Sequence, residues 1–255
     1  MVTIFNTKEE IANNAAEIFV AAAQNAIQDH GRFVVALTGG SSPVALYKLL
    51  ATPEYQPKVD WSKVFVFWGD ERWVALDHDL SNAKMSAESF LNHVPIPKDN
   101  IYPMYKDGTT PEEYAVEYEK NIKSVAGEDG KFDLILLGMG DDGHTASLFP
   151  GEAVLKEEDK WVAAYYLAPQ SMYRITLTAP LINKAKQIVV ITFGENKAHA
   201  LHQVIHGDYN PEKYPTQLLK PIDGKLLFLT DEAAANTKQL LLLHTNKIYS
   251  NKLDA

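Results

Sequence analysis

The residues with the clearest chemical potential are a carboxylate and an imidazole two positions apart, Asp142 and His144. They lie in the run LGMGDDGHTASLFPG at 137–151. An imidazole titrates near neutral pH and can take a proton from water, and a carboxylate partner fixes its tautomer and stabilises the imidazolium that forms. The pair therefore predicts general-base catalysis. The structural alternative is that Asp142 only caps a turn and that His144 is an ordinary polar residue.

A second candidate site is the run TGGSSP at 38–43. Glycines let the backbone approach an anion closely, and free N–H groups at a helix N-terminus beside hydroxyls bind phosphate. We therefore predict a phosphate-binding loop here. One alternative is that Ser41 or Ser42 only caps the following helix. Another is a serine nucleophile on a sharp turn, although Pro43 replaces the final glycine of the G-x-S-x-G motif.

Positive charge near these runs comes from few residues. The chain has 21 Lys but only three Arg, and two of the three, Arg72 and Arg174, fall beside candidate site segments. Arg72 ends the run GDER, next to Asp70 and Glu71, and a guanidinium suits a phosphate, a carboxylate or a developing oxyanion. A surface ion pair within GDER is the alternative, and it would contribute little. Lys197 could meet a phosphate as a point charge or could simply be solvated.

Two other patterns are weaker. GMGDDG at 138–143 satisfies the dinucleotide motif G-x-G-x-x-G. Its aspartates would place negative charge at a pyrophosphate, and Pro-Gly at 150–151 leaves little room for the long helix that should follow. His199, His202 and His206 have the spacing of one helix face, but no carboxylate lies among them, so a metal site there is not favoured.

These residues need elements that bring them together. Short apolar runs predict buried strands at 33–37, 64–68, 132–137, 188–192 and 226–230. Helical periodicity predicts helices at 11–26, 44–51, 82–91, 112–126, 197–205 and 231–236, and Thr7 with Glu10 predicts a capping box before the first. This alternation predicts an α/β fold with three αβα layers around a mainly parallel, Rossmann-like sheet. Ligands bind at the carboxyl ends of the strands in such sheets, where the candidate residues fall.

Composition limits the class of protein. The chain has 255 residues, with 24 Lys plus Arg against 33 Asp plus Glu and a net charge of −9, which argues against nucleic-acid binding. It has no cysteine, so thiol catalysis and disulfides are excluded. No apolar run approaches a membrane span, and no signal-peptide pattern is visible at the N-terminus. We expect a cytoplasmic protein with one domain over 1–255 and leave the packing of the tail at 237–255 open.

Four runs together resemble the 6-phosphogluconolactonase family, within the larger group of glucosamine- and galactosamine-6-phosphate isomerases. They are TGGSSP, GDER, LGMGDDGHTASLFPG and YRITLT at 173–178, in the order and spacing of that family. The fifteen-residue run is the most specific of the four. The resemblance implies an enzyme of the pentose phosphate pathway that hydrolyses a phosphorylated sugar lactone, with no cofactor, no metal, no membrane or nucleic-acid partner, and a monomeric state.

The resemblance also implies roles for residues at matching positions. His144 would be the general base, with Asp142 orienting it and Arg72 near the developing oxyanion or the sugar hydroxyls. Substrate contacts are implied for Asp70, Asn82 and Thr145. Phosphate contacts are implied for Gly39, Gly40, Ser41, Arg174 and Lys197.

Related glucosamine-6-phosphate deaminases share the implied fold and the early loops. They carry a glutamate five positions after the loop histidine, where this chain has Phe149, and a tyrosine where it has Arg72. Loss of that glutamate favours lactone hydrolysis over the deaminase reaction. The remaining alternative, a non-catalytic sugar-phosphate sensor, would keep the phosphate-binding residues but would not need Asp142 and His144.

Overall fold

A six-stranded parallel sheet forms the centre of the molecule, whose computed structural model describes residues 1–235. Its strands are β1 (Val2–Phe5), β2 (Phe33–Leu37), β3 (Val64–Trp68), β5 (Leu134–Gly138), β8 (Gln187–Thr192) and β9 (Lys225–Asp231). Their order in the sheet is β1-β9-β8-β5-β2-β3, and every neighbouring pair is parallel. All five residues of β2 are buried, which requires cover on both faces. The predicted mainly parallel α/β fold is confirmed.

Helices flank the sheet near the predicted positions. The first begins after the expected capping box, in which Thr7 accepts from the Glu10 N–H and the Glu10 side chain accepts from the Thr7 N–H. It extends further than the apolar stripe and ends at Gly31, which has a left-handed φ of 81°. The helices are α1 (Lys8–His30), α2 (Val44–Leu50), α3 (Asn82–Ser89), α4 (Pro111–Ala126), α5 (Ala179–Ile182), α6 (Ala198–His206) and α7 (Glu232–Ala235).

A second sheet, antiparallel and of three strands, was not predicted; it is called the small sheet below. It has the order β4-β7-β6, with β4 at Asp70–Arg72, β6 at Val162–Leu167 and β7 at Met172–Leu177. The run GDER directly follows β3, as expected, but Asp70 to Arg72 themselves form a strand that pairs with β7. A three-residue strand carries too little periodicity to be recognised, and its pairing partner lies about a hundred positions away. α4 packs against this sheet.

Parallel strands β2, β3, β5 and β8 direct their carboxyl ends to the same edge of the central sheet. The segments that follow them are those singled out in the sequence, beginning at Thr38, Gly69, Met139 and Phe193. No helix among the described residues is long and apolar enough to cross a membrane. The last residue of the helix predicted at 231–236 and the tail at 237–255 lie outside the described residues.

Candidate active site

One open cavity at this edge collects most of the predicted site residues. From the central sheet come the 38–42 loop, the 138–144 loop and Lys197, and from the small sheet come Asp70, Arg72 and Arg174. Predicted residues that line it are Gly39, Gly40, Ser41, Asp70, Arg72, Asn82, His144, Arg174 and Lys197. Lining residues that we did not predict as site residues are Thr38, Ser42, Gly138, Met139, Gly140, Ala146, Phe149 and Gln170.

Asp142 and His144 form a close pair at the mouth of this cavity. His144 Nδ1 lies 2.6 Å from Asp142 Oδ1, and the His144 backbone N–H donates to the same oxygen at 3.0 Å. Burial raises the pKa of Asp142, but the two hydrogen bonds from His144 outweigh it and hold that pKa below its usual value. The carboxylate therefore stays ionised at neutral pH and fixes the proton on Nδ1. Nε2 is then the ring nitrogen available to accept a proton from water.

Gly140 makes room for this pair. A Cβ at position 140 would lie 2.1 Å from His144 Nδ1 and 2.5 Å from Asp142 Oδ1. We expect Gly140→Ala to displace the imidazole and to lower kcat about 10²-fold, the effect of a misplacement near 1 Å. Steady-state kinetics would check this, with Gly138→Ala as the matched control because its Cβ would meet nothing nearer than Ile191 O at 4.0 Å. Equal rates for the two variants would contradict the expectation.

Phe149 packs directly on the imidazole. The two rings stack with centroids 4.1 Å apart and an interplanar angle of 23°. The guanidinium carbon of Arg174 lies 5.6 Å from the centroid of the same Phe149 ring. An aromatic ring thus stands next to both side chains and restricts the rotation of the imidazole. In the sequence, Phe149 was notable only because it replaces the glutamate of the deaminases. No motif indicated that it stacks on His144.

The 38–42 loop approaches α3 as closely as glycine allows. A Cβ at Gly39 would lie 1.9 Å from Asn82 Oδ1, and Gly40 has a φ of 76°. The alternative that Ser41 or Ser42 only caps the next helix is wrong, because α2 has Pro43 at its N-cap and no side-chain cap. Both serines instead line the cavity. Their hydroxyls and the loop backbone are placed to meet an anion.

Two arginines lie next to each other on neighbouring strands of the small sheet. Arg72 on β4 is directly opposite Arg174 on β7 in the antiparallel register. Like charges at directly opposed positions destabilise a sheet. Such a local conflict is typical of a functional site, because a bound anion would relieve it. The pairing of two of the three arginines in the chain therefore marks this end of the cavity as an anion site.

Arg174 is the most enclosed cation of the cavity. Its side chain is buried, with 4% of the residue exposed, and its Nε has no hydrogen-bond partner among the described residues. Nη2 donates to Gln170 Oε1, at the tip of the β6–β7 hairpin. Burial lowers the pKa of Arg174, and the nearby Asp70 carboxylate opposes that shift. A guanidinium remains charged in such surroundings, so Arg174 presents a desolvated positive charge with a free donor.

Glu71 holds the start of α3 in place. Its carboxylate accepts from the backbone N–H groups of Arg72, Asn82 and Ala83 and from the Ser81 hydroxyl, at 2.8–3.2 Å. Arg72 Nη1 in turn donates to Asn82 Oδ1 at 3.1 Å. The alternative of a surface ion pair within GDER is thereby wrong, because Glu71 is buried and bonds to backbone. Glu71 fixes the position of both Arg72 and Asn82.

The same buried carboxylate predicts a pH effect on stability. Burial raises the pKa of Glu71 from 4.5 to about 7, although the backbone N–H donors act in the opposite direction. A carboxyl group whose pKa is higher in the folded than in the unfolded protein destabilises the folded state as it ionises. The protein therefore loses stability as the pH rises from the unfolded-state pKa to the folded-state pKa. Between pH 5 and 8 we expect the free energy of unfolding of the wild type to fall by up to about 3 kcal/mol relative to that of Glu71→Gln, as measured by urea unfolding.

The exposed Glu158→Gln variant is the control for this comparison, because its carboxylate lies in solvent. Its unfolding free energy should keep a constant difference from wild type over the same pH range. A constant difference for Glu71→Gln as well would contradict the expectation.

Two predicted site residues do not line the cavity. Asp142 contacts His144 from outside it, as an orienting residue should. Thr145 is fully buried, and its hydroxyl donates to Gly138 O at 2.8 Å. The expectation that Thr145 contacts substrate therefore disagrees with its placement. Neighbours in a motif can point to opposite sides of a loop, and spacing alone does not reveal this.

The two weaker patterns do not form sites in the described part of the chain. The 138–143 loop leads into a tight turn and then a 3₁₀ turn at Ala153–Lys156, without the helix that a dinucleotide loop requires. No group of three or more side chains able to hold a metal is found among residues 1–235. His199 instead contacts the Tyr214 hydroxyl at 3.1 Å.

Comparisons with known proteins show which family the chain belongs to. A family model described as "Glucosamine-6-phosphate isomerases/6-phosphogluconolactonase" matches residues 6–228. A probable 6-phosphogluconolactonase 2 from Oryza sativa subsp. indica is 37% identical over 251 residues, which cover 92% of this chain and 89% of the relative. The 6-phosphogluconolactonase of Synechocystis is 38% identical over 237 residues, which cover 91% and 96%. The solved 6-phosphogluconolactonase from Trypanosoma cruzi has a TM-score of 0.79 at 27% identity, covering 92% of this chain and 95% of its own. On its sequence and its fold, the chain belongs to the family of glucosamine-6-phosphate isomerases and 6-phosphogluconolactonases.

Proposed function

We propose that the chain hydrolyses 6-phospho-D-glucono-1,5-lactone to 6-phosphogluconate, as a 6-phosphogluconolactonase of the oxidative pentose phosphate pathway, with His144 as the general base. One observation carries the proposal. The Asp142–His144 pair, 2.6 Å apart, opens onto the same cavity as Arg174, Lys197 and the glycine-serine loop. A proton acceptor and several anion-binding groups in one cavity suit a substrate that carries a reactive carbonyl and a phosphate.

The reaction needs one base and one oxyanion stabiliser. His144 Nε2 takes a proton from water as the water oxygen attacks the lactone C1 carbonyl, and the imidazolium is stabilised by Asp142. The carbonyl oxygen becomes negative in the tetrahedral intermediate, and Arg72 supplies positive charge beside it. When the intermediate collapses, the bond from C1 to the ring oxygen breaks. The ring oxygen receives the proton held by His144, so the ring opens and the base is regenerated.

Phosphate binding positions the reacting carbonyl. Arg174 and Lys197 attract the dianion, and the Gly40 and Ser41 backbone can donate to its oxygens. Energy from this remote contact holds C1 near His144 and raises the rate of the chemical step. A lactone without phosphate loses that contribution.

A deaminase or isomerase is the main alternative within the family. Interconversion of adjacent sugar carbons needs a second acid/base group close to the histidine. The ring of Phe149 occupies that space and stacks on the imidazole at 4.1 Å. A sugar-phosphate sensor would have no use for the Asp142–His144 pair. Both observations favour lactone hydrolysis.

Proton release in a pH-stat tests the proposal. Freshly made 6-phosphoglucono-δ-lactone is followed with and without protein, because the substrate also opens unaided and this background must be subtracted. We expect acceleration well above the background and a much smaller acceleration for unphosphorylated glucono-δ-lactone. A folded protein without acceleration would overturn the lactonase assignment, and equal kcat/KM for both lactones would overturn the role of phosphate.

The monomeric state and the cytoplasmic location expected from the sequence stay predictions. Sedimentation velocity of the purified protein tests the first.

A further inference from the structure

The segment that follows α6 packs against the loop carrying His144. Thr216 in this segment makes two hydrogen bonds to one acceptor, because its backbone N–H and its hydroxyl both donate to Gly143 O, at 2.9 and 2.8 Å. Thr216 is 1% exposed and does not line the cavity. A side chain 73 positions away thus holds the carbonyl group immediately before the proposed base.

The opposite side of the same peptide is also held. The His144 N–H donates to Asp142 Oδ1 at 3.0 Å. Gly143 has a φ of 81°, and a Cβ there would lie 3.0 Å from the Tyr214 ring. Tyr214 therefore closes the space behind this peptide, while Thr216 and Asp142 fix its two polar groups. The plane of the peptide determines where the His144 Cα lies and so where its imidazole can reach.

The segment that carries Thr216 is itself hydrogen-bonded to α6. Gln217 Nε2 donates to Gln203 O and Asp208 O, at 2.9 and 3.0 Å, and its Oε1 accepts from the Asn210 N–H at 2.6 Å. These hydrogen bonds fix the position of the segment that carries Thr216.

We propose that Thr216 is a positioning residue for His144. Its hydroxyl acts through the Gly143 carbonyl and keeps the imidazole aligned with Asp142 and with the attacking water. The inference rests on the proposed hydrolysis for its kinetic consequence, but the alignment of the Asp142–His144 pair is a property of the free protein. Loss of the hydroxyl leaves one donor on the carbonyl and lets the peptide tilt.

Kinetics of three variants test this role. Thr216→Val removes the hydroxyl and keeps the backbone donor, so we expect kcat to fall about tenfold with KM within twofold of wild type. Thr216→Ser keeps the hydroxyl and should stay within twofold in both constants. Thr178→Val is the matched control, because Thr178 is equally buried and its hydroxyl donates to Lys160 O, away from the cavity. Thr216→Ala makes the same test if the valine variant is insoluble.

A spectroscopic readout separates alignment from stability and from activity. A proton on His144 Nδ1 facing a carboxylate oxygen at 2.6 Å should give a downfield proton resonance, assigned by its loss in His144→Ala. We expect this resonance to shift or broaden in Thr216→Val and to be unchanged in Thr216→Ser and Thr178→Val. A wild-type kcat and an unchanged resonance in Thr216→Val would overturn the inference. If the wild type lacked lactonase activity, the proposed function would fail, and the resonance would still decide the role of Thr216.

Discussion

Alanine at position 144 is expected to lower kcat by about 10²–10⁴-fold while leaving affinity for the phosphorylated sugar acid largely unchanged. The imidazole is the group proposed to take the proton from water, and its partner Asp142 has a pKa below the usual value and cannot replace it at neutral pH. Arg174 and Lys197, the cations that would hold the phosphate, are separate side chains of the same cavity and are left unchanged.

Two measurements on His144→Ala separate chemistry from binding. The pH-stat gives the rate above background, and calorimetry with 6-phosphogluconate gives the affinity. His202→Ala is the control, since His202 is exposed on α6 and outside the cavity. Undiminished turnover in His144→Ala would remove His144 from the mechanism. Lost turnover together with lost affinity would make it a binding residue.

Methionine at position 174 is expected to remove most of the preference for the phosphorylated lactone. Truncating one partner of a buried, hydrogen-bonded charge pair costs about 2–5 kcal/mol, which corresponds to a loss in kcat/KM of about 30-fold or more. The loss should fall on the phosphorylated substrate, because the unphosphorylated lactone never makes the contact. Arg174→Lys should recover only part of it, since an ammonium lacks the planar fork of donors.

Arg32→Met is the matched control for Arg174→Met, because Arg32 is exposed and lies outside the cavity. Both variants need a melting curve, since Arg174 is buried near Asp70 and its removal takes a positive charge away from that carboxylate. A folded Arg174→Met protein with equal losses on the two lactones would contradict a phosphate-specific role.

Much of the central sheet could be read from the sequence. Strands β2, β3, β5, β8 and β9 each contain a short apolar run, because a parallel sheet covered on both faces leaves few polar positions. α1 was recognisable from its apolar stripe and its Thr7–Glu10 capping box, a local pattern. Ligand residues at the carboxyl ends of these strands follow from topology, so the placement of the 38–42 and 138–144 loops at one edge was predictable.

The rest of the site depends on contacts that no local pattern carries. β4 is three residues long and is a strand only because β7 lies next to it, so the pairing of Arg72 with Arg174 could not be foreseen. Thr145 shared a motif with His144 but points into the core. Gln170 and Phe149 line the cavity through the arrangement of distant segments, and their residue types alone indicate no chemistry.

The cavity lies between the two sheets, and in the described part of the chain no strand of one sheet pairs with a strand of the other. Arg72 and Arg174 belong to the small sheet, whereas His144, Lys197 and the 38–42 loop extend from the large one. An anion that binds both sets of groups acts as a crosslink between the sheets. By mass action it should slow hydrogen exchange in β4, β6 and β7, the strands of the small sheet. Occupancy of the site thus governs the local stability of the small sheet as well as turnover.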